Sequence, residues 1–118
     1  MKVIIAGGSD FNSYELLVKT MKEINNVTEI VCGKARGADT LGEQWAKENN
    51  IPVTYFPTLW NLGRDAGIKR NHQMCDYADY LVAFWDGESR GTKDMIDYMK
   101  RLGKKGTVVT YVRQPAND

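Results

Sequence analysis

The chain has 118 residues, enough for one domain with a single modest core and too few for a separate catalytic module. Sixteen Lys and Arg stand against fifteen Asp and Glu, so no whole-molecule field would hold nucleic acid, and basic side chains matter only where they cluster. No apolar run approaches membrane length, Met1-Lys2-Val3-Ile4-Ile5 enters a strand directly, and Cys32 and Cys75 are the only cysteines, which leads us to expect a soluble, cytoplasmic protein with two thiols.

Lys2 to Ala6 is a short β-rich run closed by Gly7-Gly8. Leu17, Thr20, Met21 and Ile24 follow at helical spacing, with Asp10 or Ser13 available as the cap. Val27 to Cys32 reads as a second strand ended by Gly33. Ala38, Leu41, Gly42, Trp45 and Ala46 then form one apolar helical face, which Asn49-Asn50 ends. Ile51 to Pro57 is a third strand, and its two prolines place it toward a sheet edge. Thr58 to Gly67 is irregular. A helix starts near Asp65 and runs to about Tyr77, with Gly67, Asn71, Met74, Cys75 and Ala78 on one stripe and Lys69 and Arg70 near its beginning. Tyr80 to Trp85 is the most apolar strand. Thr92 or Ser89 can cap a last helix whose buried face is Met95, Ile96, Met99 and Leu102 and whose stop is Gly103. Thr107 to Val112 closes the sheet, and 113–118 reads as a frayed tail.

Strands alternating with helices predict a three-layer, Rossmann-like α/β fold, with a five-stranded, mostly parallel sheet and about four helices, in one domain spanning 1–118. If the strand order is 3-2-1-4-5, the loops after strands one, two and four meet at the topological switch point. Gly7-Gly8 would then floor a cleft walled by Gly33-Lys34-Ala35-Arg36-Gly37-Ala38-Asp39 and by Gly87-Glu88-Ser89-Arg90-Gly91-Thr92. Each of these two loops joins a strand to a helix and carries cations, which is how free helix N–H groups and a nearby Arg or Lys come to face a phosphate. Familiar phosphate motifs do not fit. Gly7-Gly8-Ser9-Asp10 is not G-x-G-x-x-G, and Thr28 and Ala35 stand where a P-loop needs Gly and Ser or Thr.

Gly7-Gly8-Ser9-Asp10-Phe11, Cys32-Gly33-Lys34-Ala35-Arg36-Gly37-Ala38-Asp39, Gly67-Ile68-Lys69-Arg70-Asn71-His72-Gln73-Met74, and Ala83-Phe84 through Arg90-Gly91-Thr92-Lys93-Asp94-Met95 resemble, in order, the signatures of small YspA-like proteins of the SLOG superfamily. The resemblance, which reaches from about residue 3 to 112, implies a Rossmann-like fold and a nucleotide-type ligand, since DprA and LOG relatives bind nucleotides, nucleotide-derived signals or single-stranded DNA. Two departures stand out. Ser9 replaces an Arg of the family's first loop, and Lys34 replaces the second Gly of the next one. In LOG-type phosphoribohydrolases a Glu follows the loop Thr by three residues, and here that position is Met95. Cleavage of a glycosidic bond needs a carboxylate near the anomeric carbon, so hydrolysis would have to use Asp94 or Asp39.

The site expected from these arguments comprises Gly7, Gly8, Ser9, Gly33, Lys34, Ala35, Arg36, Gly37, Asp39, Arg70, Asn71, Gly87, Arg90, Gly91 and Thr92. Each has a plainer reading beside the functional one. The arginines can be solvated charges, the glycines can satisfy positive φ or tight packing, Asp39 can stabilise a helix N-terminus, Thr92 can be an N-cap, and Arg70-Asn71 can be a hydrogen-bond pair between helices. Trp60 and Trp85 adjoin the cleft and can stack on a base or simply pack. Cys32 reads as a small buried hydrophobe, and His72, Cys75, Asp76 and Asp79 imitate metal spacing without a second cluster, so neither metal nor cofactor is expected. The functional expectation is a module that binds a phosphorylated nucleotide or a derivative, as a sensor or sequestering protein. Nucleotide N-glycoside hydrolysis and DprA-like single-strand binding are the alternatives. The Met74, Met95 and Met99 faces could serve a homodimer or belong to a monomeric core, and the sequence does not distinguish the two.

Overall fold

The structure, a computed structural model, describes residues 1–33, 37–59, 61, 63 and 65–112. Lys34, Ala35, Arg36, Trp60 and the tail 113–118 lie outside the described residues. The strands β1 (Lys2–Gly7), β2 (Glu29–Cys32), β3 (Val53–Tyr55), β4 (Tyr80–Trp85) and β5 (Lys105–Thr110) alternate with the helices α1 (Tyr14–Lys22), α2 (Ala38–Glu48), α3 (Ala66–Tyr77) and α4 (Arg90–Arg101). All four strand pairings are parallel and the order is β3-β2-β1-β4-β5, so the fold is the three-layer Rossmann-like α/β architecture expected.

Alternation within the central strands builds two cores. Val3, Ile5, Ile30, Cys32, Val82 and Phe84 join one cluster with Leu17 and Met21 of α1 and Ala38 and Ala46 of α2. Ile4, Ala6, Val31, Leu81 and Ala83 turn to the opposite face, where Met74 and Cys75 of α3 and Met95, Ile96 and Met99 of α4 cover them. A parallel strand buried on both sides reads as continuously apolar because each alternate residue has its own core.

The prolines shorten β3 to three residues at the sheet edge. β5 starts two residues earlier than periodicity suggests, because Gly103 at φ 73 turns the chain at once and Lys105 already stands in register with Tyr80. Of the two candidate caps for α1, Ser13 takes the place and its hydroxyl accepts the Leu16 N–H at 3.3 Å. For α4 the cap position is Ser89, and Thr92 is the third helical residue, buried among its neighbours. Leu102 stands just past the end of α4 and is exposed, not part of its buried face. Met74, Met95 and Met99 are 2–3 % exposed and pack between helix and sheet, so they offer no surface for a dimer.

The C-terminus of α3 depends on one side chain from the far end of the chain. Lys104 Nζ donates to the carbonyls of Cys75, Asp76 and Ala78 at 2.8, 2.9 and 2.8 Å, satisfying groups the helix leaves open. Replacing it by Met keeps the stem and removes the ammonium. Lys104→Met is expected to lower stability by about 1–2 kcal/mol, read as a fall in the urea midpoint at unchanged m-value.

Candidate functional site

The strand order reverses at β1, and there the loops after β1, β2 and β4 converge. Gly8 closes the turn after β1. Its N–H donates to the Phe84 carbonyl of β4 at 3.2 Å, and its carbonyl accepts the N–H groups of Phe11 at 3.2 Å and Ala38 at 3.4 Å. Ala38 is the first residue of α2, so the first loop is tied to the start of the second helix. The residue before it, Gly37, has φ 75, and a Cβ there would come within 2.2 Å of the Gly8 oxygen. Both the backbone angle and the space require glycine.

Asp39, in the first turn of α2, is 5 % exposed and accepts the Gly33 N–H at 3.1 Å on Oδ2. Gly33 uses its carbonyl as well, as acceptor for Arg70 Nη1 from α3. The guanidinium lies so close over this residue that a Cβ at position 33 would meet Nη1 at 2.2 Å. Arg70 also donates to the Phe56 carbonyl at 3.4 Å and, through Nε, to Asn71 Oδ1 at 2.9 Å. Arg70 and Asn71 therefore form one unit on α3, and the guanidinium anchors it to the chain segments leaving β2 and β3, not to a second helix.

The loop after β4 is organised by Asp86, whose Oδ1 accepts the N–H groups of Glu88 at 2.9 Å and Ser89 at 2.8 Å, an Asx-type turn completed by Gly87 at φ 86. Trp85 Nε1 donates to the Ser89 carbonyl at 3.0 Å, which fixes the entry to α4 and occupies the indole N–H. Within α4 the first helical bond runs from Lys93 N to Ser89 O at 3.1 Å, so the N–H groups of Arg90, Gly91 and Thr92 precede the ladder.

These segments enclose a cleft of about 140 Å³. Ala6 and Gly7 line it from β1, Asp39 from α2, Arg70, Asn71 and Met74 from α3, and Ser89, Gly91, Thr92 and Met95 from α4. A second, adjoining cleft of about 270 Å³ shares Ser89 and is lined by Gly8, Ser9, Asp10, Asp86 and Glu88. Six of the expected site residues thus line the first cleft and two the second. Gly33, Gly37 and Gly87 shape the loops without lining either, and Arg90 is exposed outside both. Lys34, Ala35 and Arg36 belong to the undescribed part of the second loop.

Ser89, Met74 and the acidic rim of Asp10, Asp86 and Glu88 were not among the expected site residues. Asp86 was legible as an Asp before Gly, a turn signal. Tyr111, whose hydroxyl donates to Asp10 Oδ1 at 2.6 Å, carried no local signal because it lies 101 residues away.

The carboxylates divide clearly. Asp94 pairs with His72 Nε2 at 2.7 Å, and the His72 ring stacks on Tyr98 with centroids 3.9 Å apart, a bridge between α3 and α4 neither of whose paired groups lines the cleft. Asp39 is the carboxylate that lines the first cleft, and Met95 lines it as well. Cys75 is buried, which pushes its thiol up to about 12, and Cys32 is fully buried too. Neither has the exposed, electropositive surroundings of a nucleophile. Among the described residues no group of three or more His, Cys, Asp or Glu could hold a metal ion, and no helix is long and apolar enough to cross a membrane.

Because Asp39 is buried and satisfies Gly33, Asp39→Ala strands a backbone donor. The expected loss is about 1–3 kcal/mol in chemical denaturation, with Asp39→Asn losing less because an amide oxygen still accepts.

Comparison with curated proteins and with solved structures gave no match. A family model described as YAcAr (YspA, cpYpsA-related SLOG family) matches residues 1–63, which is more than half of the 118 and carries β1, β2, β3 and the loops after the first two. The chain therefore belongs to the YspA, cpYpsA-related SLOG family, a membership that fits a nucleotide-related ligand.

Proposed function

We propose that the chain is a single nucleotide-binding domain which holds a phosphorylated nucleotide or nucleotide-derived ligand in the cleft at β1, as a sensor or sequestering module. The observation that carries this reading is Gly91. It lines the cleft as the second residue of α4, it does not adopt a positive φ, and a Cβ placed on it would meet nothing within 4 Å. The fold has no need of glycine there. Glycine loses more backbone freedom on folding than alanine does, so the missing side chain is best explained by something that approaches the backbone.

The N–H groups of Gly91 and Thr92 offer donors at the positive end of α4, and the Arg70 guanidinium adds a cation on the opposite wall. Asp39 and Asn71, both lining the same cleft, suit hydroxyl groups of a ribose. Gly7 and Gly8 bring β1 backbone to the floor, and Lys34 and Arg36 in the second loop supply further cations in sequence. Binding is favoured over hydrolysis because Met95 stands where LOG-type phosphoribohydrolases carry Glu and Asp94 pairs with His72, which leaves Asp39 as the cleft's carboxylate. A nucleic-acid strand is less favoured, since the neighbouring cleft carries Asp10, Asp86 and Glu88 and would repel a continuous phosphate backbone.

Thermal unfolding with a panel of nucleoside mono-, di- and cyclic phosphates and ADP-ribose tests the reading. At least one should raise the melting temperature, by the equivalent of about 2.7 kcal/mol at a hundred times its dissociation constant. Gly91→Ala should stabilise the free protein by up to about 1 kcal/mol and reduce the ligand-induced shift, a pair of opposite effects that a purely structural glycine would not give. No shift with any member of the panel would refute the proposal, and release of free base from a nucleoside monophosphate, abolished by Asp39→Asn, would replace it with the hydrolase reading.

A further inference from the structure

The two edges of the sheet are built differently. β3 has three residues between Pro52 and Pro57, and short strands with flanking prolines resist pairing with other chains. β5 has six residues, all in register with β4, no proline and one charged residue, Lys105. Tyr111 N–H bonds the Trp85 carbonyl at 3.0 Å. Alternation from that point turns the backbone groups of Gly106, Val108 and Thr110 away from β4, toward the edge that no strand among the described residues pairs with. Val108 itself is 44 % exposed.

Both faces beside this edge are apolar. Between α1 and β5 runs a groove of about 400 Å³ with Leu16, Ile24, Tyr80 and Val109 in its lining. Lys19 and Glu23 stand on its α1 wall, one helical turn apart. On the other face Ile96, Met99 and Val108 line a smaller cleft.

We infer that β5 pairs antiparallel with β5 of a second copy of this chain, joining two five-stranded sheets across a twofold axis at Val108. Gly106 then stands opposite Thr110 of the partner subunit, and every outward N–H and C=O of the strand gains a partner. The same axis runs the two α1 helices antiparallel, so Lys19 faces Glu23 of the partner subunit and Glu23 faces Lys19 of the partner subunit. This self-complementarity of charge distinguishes a second copy from an unrelated strand, because an isologous interface needs a patch that fits itself. The pairing stands apart from the nucleotide cleft, which lies at the C-terminal end of β1.

Sedimentation velocity of the full chain over a concentration series is the test. The wild type should associate to a dimer with a micromolar or tighter dissociation constant. Val108→Pro removes an outward N–H while sparing the ladder to β4, and it should give a monomer with unchanged far-UV circular dichroism. Val108→Arg, which sets like charges face to face on the axis without altering the backbone, covers the case in which the proline variant fails to fold. Lys19→Glu and Glu23→Lys should each weaken the dimer by about tenfold or more, and the double swap should restore it. A wild type that stays monomeric throughout, a dimer indifferent to both Val108 variants, or a double swap that recovers nothing would overturn the inference.

Discussion

The site rests on the carbonyl oxygen of Gly8. That oxygen takes the N–H of Phe11 from its own loop and the N–H of Ala38 from α2, while the Gly8 N–H reaches the Phe84 carbonyl of β4. The backbone of one residue thereby ties together three segments that are far apart in sequence. It can do so only because side chains are missing around it. A Cβ on Gly37 would strike the Gly8 oxygen, and a Cβ on Gly8 would lie 1.9 Å from the Tyr111 hydroxyl. The close approach of loop, helix and β5 is a property of backbone, and backbone is what remains exposed to whatever enters the cleft. An unpaired buried carbonyl at this point would cost more than a hydrogen bond contributes, so the arrangement is held from both sides.

Arg70 plays the corresponding part on the other wall. It donates to the carbonyls of Gly33 and Phe56, at the exits from β2 and β3, and to the amide oxygen of Asn71. A guanidinium has five donors in a rigid fork, these contacts engage Nη1 and Nε, and the residue also lines the cleft. The fold thus uses one side chain to lock the second loop and to polarise the space beside Gly91.

The central strands, their order and both faces of the core were legible because each strand is an unbroken apolar run and each helix shows one stripe. The edge position of the proline-bounded β3 was legible from local chemistry, whereas the cap of α1 stayed open between Asp10 and Ser13 until the structure placed Ser13 there. Thr92 misled, since a Thr after Gly reads as a cap although the helix begins two residues earlier at Arg90, where Ser89 ends the Asp86 turn. The methionines stayed open in another way. The stripes that hold Met74 on α3 and Met95 and Met99 on α4 have the same period whether they pack on a partner or on their own sheet, and only the topology assigns them to the sheet. What periodicity could not supply were contacts across sequence distance: Tyr111 on Asp10, Lys104 on the end of α3, and His72 on Asp94.

The polarity of the cleft narrows what can occupy it. The first turn of α4 and Arg70 favour an anion, while Asp39, buried in the same wall system and bound to Gly33, repels one. A bare phosphate filling about 140 Å³ could not avoid both. A ligand that puts phosphate at the amides of Gly91 and Thr92 and hydroxyl groups toward Asp39 separates the two demands. Met74 and Met95 meanwhile give the floor an apolar, adaptable surface suited to a sugar ring's carbon face. With Met95 in its lining and no carboxylate there, this floor carries no negative charge beside that of Asp39, which suits an anionic group at the amides of Gly91 and Thr92.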